Sequence, residues 1–242
     1  MNEIIAKLKD IVRVEQTRAK TYDVHIPVLY YGGDWVVVEI TLNSDKTFQI
    51  NDKGCAITNA QAIINDFDNI NVNKFLTSVS EDYALNVSKA NSLFLSDIKS
   101  EQLYSAISEI ASASVELSKR IIEKGFEQSK RKIHNLVENK LMDIFKGDYK
   151  DKVTKDYELL GQSSKRYCIP FCINDSVKRY IEPVANNTNA IAVSHTKFYD
   201  IGKSPEYKRE IVIDSFDNWE TPNIDLLKPI CESITPYNSI AA

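Results

Sequence analysis

The chain has 242 residues, 43% of them apolar and 26% charged, enough for one large core or for two of roughly 100 residues each. Apolar runs such as Trp35 to Val38 are far too short to cross a bilayer, and Met1 to Lys7 carry an early acid, which argues against a membrane span or a secretory leader. The four cysteines, Cys55, Cys168, Cys172 and Cys231, are scattered without disulfide or zinc-finger spacing, so a cytoplasmic protein with reduced thiols is expected.

Residues 3–17 place Ile4, Ile5, Leu8, Ile11 and Val12 at helical spacing, which predicts an amphipathic helix. Tyr22 to Tyr30 and Trp35 to Leu42 are rich in β-branched and aromatic residues and flank Gly32-Gly33, a hairpin signature. Thr47 to Ile50 predicts a third strand, closed by the turn Asn51-Asp52-Lys53-Gly54. Thr58 is placed to cap a helix running to Phe67, and a second helix is predicted from Val72 to Asp82. Leu85 to Val87 and Leu93 to Leu95 form a further hairpin pattern across Lys89-Ala90-Asn91. From Ser100 a long helical stretch carries Leu103, Ile107, Ile110, Leu117 and Ile121 on one face; Gly125 predicts a break or kink, and Ile133, Val137, Leu141 and Ile144 resume the spacing. That stripe serves either as core or as the seam of a homodimer through the central helices. The last third reads β-β-β-α-β-α-β.

The fold class is therefore α+β: a small N-terminal antiparallel sheet with helices over 1–118, a helical connection over 119–150, and a C-terminal domain over 151–242. Charge is uneven, at about −6 for residues 1–118, +5 for 119–155 and −3 for 156–242. The basic segment holds Lys119, Arg120, Lys124, Lys130, Arg131, Lys132 and Lys140, either a solvated helix face or a surface for nucleic-acid phosphates or an acidic protein partner. Six acids interleave with it, and few aromatic residues do, so contact would be backbone-directed and salt-sensitive rather than a stacking platform.

Ile26-Pro27-Val28, Gly33-Asp34-Trp35-Val36-Val37-Val38 and Phe48-Gln49-Ile50-Asn51-Asp52-Lys53-Gly54 resemble the family called domain of unknown function 1828. Leu160-Gly161-Gln162-Ser163-Ser164, Phe198-Tyr199-Asp200 and Ile234-Thr235-Pro236-Tyr237-Asn238-Ser239 resemble its usual companion, domain of unknown function 1829. The resemblance implies a two-domain protein of bacterial, phage or mobile-element origin, with a role in phage–host conflict as defence or counter-defence.

Leu160 to Val184 has the layout of a restriction-nuclease-like core. Such cores need one acid at a strand end and then an acid, any residue and lysine on the next strand, because paired carboxylates hold Mg²⁺ while the lysine positions water. Here Pro170 stands before Phe171 where an acid is needed, and Glu182 is followed by Pro183-Val184, so the lysine is missing. The leading expectation is a degenerate, non-catalytic binding protein without a cofactor. A metal-dependent nuclease with a displaced site of Glu182, Asp200 and Lys197, with Glu158 nearby, is the alternative; a dimeric scaffold or inhibitor is the third. The plainer account makes Glu182 and Asp200 ordinary polar residues, with Lys197 and Asp200 forming an ion pair three residues apart on a helix. Cys168 and Cys172 are expected on one strand face as small buried side chains. No local signature links a cysteine to His25, His134 or His195.

Overall fold

A computed structural model describes residues 13–65 and 67–241. The chain divides into two compact units between Gly125 and Phe126. The boundary falls within the stretch expected to be a connection, and it falls inside one continuous helix.

The first unit carries a six-stranded antiparallel sheet in the order β1-β2-β3-β4-β6-β5. Its strands are β1 (Arg13–Arg18), β2 (Thr21–Leu29), β3 (Trp35–Leu42), β4 (Phe48–Asn51), β5 (Asn86–Val87) and β6 (Leu93–Ile98). Alternation buries Val24, Val36, Val38, Ile40, Phe48 and Ile50 on one face, as period-two patterning requires. The expected helix over 3–17 is corrected at its C-terminal end: Arg13 to Thr17 lie in β1, where Val14 pairs with Val24, and residues 3–12 lie outside the described residues. Tertiary pairing with a neighbouring strand overrides the local helical spacing.

Helix α1 (Cys55–Ile63) starts earlier than expected, behind Gly54 in the left-handed conformation at φ 73°. Thr58 sits inside its first turn and donates to the Gly54 carbonyl at 3.2 Å. Helix α2 (Val72–Asp82) begins as expected, capped by the Asn71 side chain, which accepts from the Lys74 amide. Helix α3 spans Leu103–Phe145 in one piece, so Gly125 does not end it. A Cβ at Gly125 would lie 2.8 Å from the Ile64 side chain, so this glycine admits a close neighbour rather than ending the helix. The apolar stripe is buried in the chain itself, from Leu103 to Ile121 in the first unit and from Ile133 to Leu141 in the second.

The second unit is a three-layer sandwich. Its sheet runs β11-β10-β9-β8-β7, made of β7 (Val153–Leu160), β8 (Arg166–Ile173), β9 (Lys178–Pro183), β10 (Tyr207–Ile213) and β11 (Ser233–Pro236). The first three strands form an antiparallel meander, and β10 and β11 join in parallel. The crossovers are α5 (Thr188–Ile201) and a short α6 (Thr221–Leu227), while a four-residue turn of helix, α4 (Tyr149–Lys152), precedes β7. Ile133, Val137 and Leu141 of α3 cover one sheet face together with Phe171, Ile173 and Ile181. On the other face, Ile191, Phe198 and Ile201 of α5 cover Tyr167, Ile169, Cys172 and Tyr180. Among the described residues no helix is long and apolar enough to cross a membrane.

Candidate functional site

The site grows from a local irregularity in β7 and β8. Register between them is continuous from Val153↔Ile173 to Leu160↔Arg166, except that Asp156 and Pro170 are not paired. Asp156 has φ 50°, a left-handed conformation that is rare for an aspartate within a strand. The pleat reverses there. Phe171 and Ile173 face α3, yet Tyr167 and Ile169, which simple alternation would put on the same side, face α5. On β7, Val153 likewise faces α3 while Tyr157 and Leu159 face α5.

The same reversal corrects the expectation for the two cysteines. Cys172 is buried, whereas Cys168 is exposed, its thiol 3.7 Å from Asp156 Oδ1. Four residues apart on a regular strand they would share a face.

A second irregularity lies between β8 and β9, whose pairing runs Ile173↔Arg179, Cys172↔Tyr180 and Phe171↔Ile181 and then stops. The next two rungs would be Pro170 against Glu182 and Ile169 against Pro183. Each contains a proline with no N–H to give, so the ladder cannot continue regularly whichever of them is the hydrogen-bonded rung. At this point Lys197 reaches in from α5. Its Nζ donates to both carboxylate oxygens of Glu182 at 2.8 Å and to the Cys168 carbonyl at 3.0 Å, so one ammonium uses its three donors to bridge the two strands.

Glu182 is only 6% exposed and also accepts from the Ser194 hydroxyl at 3.4 Å. Burial pushes its carboxyl above the ordinary glutamate value, against the opposing pull of Lys197, Lys130 and Ser194. Near this pair lie Cys168 and Lys130 of α3, with exposed Asp156 beside the Cys168 thiol; His134 of α3 lies farther along, its ring 4.6 Å from that of Phe171. A surface groove of about 350 Å³, lined by Lys165, Tyr167, Ala192, Val193, Thr196 and Lys197, opens beside it.

Of Glu158, Glu182, Asp200 and Lys197, the residues read as a displaced nuclease site, Glu182 and Lys197 meet and Asp200 goes elsewhere. Asp200 braces the β7–β8 turn, accepting from the Ser163 amide at 2.9 Å and its hydroxyl at 2.6 Å, which hold its carboxyl below the ordinary value. Gly161 is required beneath it, since a side chain there would collide with the Asp200 carboxylate. The expected Lys197–Asp200 pair is therefore replaced by Lys197–Glu182, because the helix turns the lysine toward the sheet. Glu158 is exposed on β7, opposite Cys168.

The basic residues separate by unit. Lys119, Arg120 and Lys124 belong to the first, where Arg120 bridges Glu116 and Asp82 at 2.8 Å each and donates to Ser78. Lys130, Arg131, Lys132 and Lys140 belong to the second; the first three are exposed, and Arg131 reaches Glu127 at 3.4 Å. Of the remaining histidines, His25 has Nε2 3.7 Å from Glu15 and His195 is stacked on Tyr199. Periodicity alone missed Asp156 and Cys168; the prolines at 170 and 183 were the available signal for a disturbed ladder.

Comparison of the chain with protein-family models, curated proteins and solved structures finds no match.

Proposed function

We propose that this chain is a non-catalytic binding protein whose second unit uses a nuclease-like layout for recognition. The observation that carries this reading is the separation of the two acids: Glu182 is held in a buried pair with Lys197, while Asp200 braces a turn. Two-carboxylate metal chemistry needs acids that share one ion. Exposed Lys130, Arg131 and Lys132 supply the contact surface, for nucleic-acid phosphates or for an acidic protein. The resemblance to paired bacterial and phage domains suggests phage–host conflict as the setting. Gel-shift titration with duplex and single-stranded probes over a salt series tests the nucleic-acid form: changing Lys130, Arg131 and Lys132 together to Ala should lower the salt slope by up to about 3 units. An unchanged slope assigns the contact to another surface.

A metal-dependent nuclease is the second reading, favoured by one specific observation. An acid and a lysine from different elements, Glu182 and Lys197, meet where β8 and β9 part. A Mg²⁺ ion at Glu182 would have to displace the Lys197 ammonium from both carboxylate oxygens. Incubating plasmid, single-stranded DNA and RNA with Mg²⁺ or Mn²⁺ decides between the readings, since cleavage abolished by Glu182→Gln would replace the first with the second.

A further inference from the structure

We propose that Lys197 and Glu182 form an acid-releasable clasp across the opening between β8 and β9. The two prolines deny this part of the sheet a regular ladder, and the described hydrogen bonds spanning it run through one ammonium group: Cys168 carbonyl, Lys197 Nζ, Glu182 carboxylate. A backbone ladder is insensitive to mild acid, whereas a carboxylate–ammonium closure is not. Protonating Glu182 removes the charge that holds Lys197, and the ammonium is left with neutral acceptors only, the Cys168 carbonyl and the carbonyl oxygen of the protonated carboxyl. Lys197 also lines the groove beside Tyr167 and Thr196, so its release alters that groove as well as the strand gap.

The groups that face Glu182 come from each neighbouring layer: Lys197 and Ser194 on α5, Lys130 on α3 and Cys168 on β8, with Asp156 of β7 beside the Cys168 thiol. Burial raises the Glu182 carboxyl above its ordinary value, which brings the release closer to neutrality. By sign, a raised folded-state value means that the folded form takes up the proton more readily than the unfolded chain does, so acid opens the clasp without unfolding the unit.

Amide hydrogen exchange on the intact chain at about pH 7.5 and about pH 5, with rates corrected for the intrinsic pH effect, tests this. Peptides covering 166–170 and 182–186 should exchange about tenfold faster at the lower pH, with β10 and the first-unit strands unchanged. Glu182→Gln should show the fast rate already at the higher pH and no further change on acidification. Equal corrected rates in the wild-type protein at both pH values overturn the proposal, as does a uniform increase across the whole chain. The wild-type comparison decides even where Glu182→Gln does not fold.

Discussion

Among the described residues the first unit buries Asp52 and the second buries Glu182 and Glu210, the last paired with Arg179; Asp52 and Glu182 are satisfied in opposite ways. Asp52, fully buried in the first unit, has no cationic partner among its described contacts. Its Oδ1 accepts from the amides of Leu93 at 2.8 Å and Gly54 at 3.1 Å, and its Oδ2 accepts from the Ser114 hydroxyl, which in turn meets the Tyr30 hydroxyl at 2.6 Å. These contacts tie the residue after β2, the turn after β4, the start of β6 and α3 into one network. Glu182 in the second unit faces an ammonium that bridges a gap the backbone cannot close. An acid held by fixed amides and hydroxyls defines where segments meet. One held by a lysine on a neighbouring helix can let go. A buried acid is thus not in itself a sign of function; the nature of its partners makes the distinction.

The strongest way to break that contrast is Asp52→Ala, which strands two amides and a hydroxyl in the core and should cost about 4 kcal/mol in urea denaturation. Lys197→Met should come next, at about 3 kcal/mol, because it leaves the Glu182 carboxylate buried without a counter-charge. If Lys197→Met proves neutral, the pair is not holding the strands.

Asp52→Asn keeps the shape and an acceptor, so its effect should be about 1 kcal/mol and should depend on pH. Burial raises the Asp52 carboxyl above the ordinary value. The stability linked to that shift is therefore present below the ordinary aspartate range and is lost as pH rises through the raised value. Relative to wild type, Asp52→Asn should improve between about pH 4 and about pH 7, and a difference independent of pH would show that ionisation of Asp52 is not coupled to folding.

Gly125→Ala should have an effect as small as that of Asp52→Asn. About 1 kcal/mol of better helix propensity opposes the collision with Ile64, for a net loss of about 1 kcal/mol. Combining it with Ile64→Val should recover most of that loss, and thermal denaturation of the three variants measures it.

Much of the architecture was legible because it rests on local pattern. The hairpin around Gly32-Gly33, the helix from Val72 to Asp82 and the β-β-β-α-β-α-β order follow from periodicity and turn chemistry. Errors arose where distant neighbours decide. Val14 joins β2 rather than continuing a helix, and Gly125 answers to Ile64 across sixty residues of sequence. At the candidate site, the residue types were visible but their partners were not. Lys197 is three residues from Asp200 and fifteen from Glu182, so local spacing favours the wrong partner and only the sheet supplies Glu182. The reversal at Asp156 had no pattern to announce it, since it coincides with one backbone torsion opposite a proline.

That reversal also bears on how the second unit comes apart. In a regular sandwich each strand gives alternate residues to each layer along its whole length, but β8 gives Tyr167 and Ile169 to the α5 layer and Phe171 and Ile173 to the α3 layer in succession. One strand is thereby threaded through both cores. Peeling either helical layer away pulls on a segment anchored under the other, so the two layers should melt as one cooperative transition rather than shed in turn.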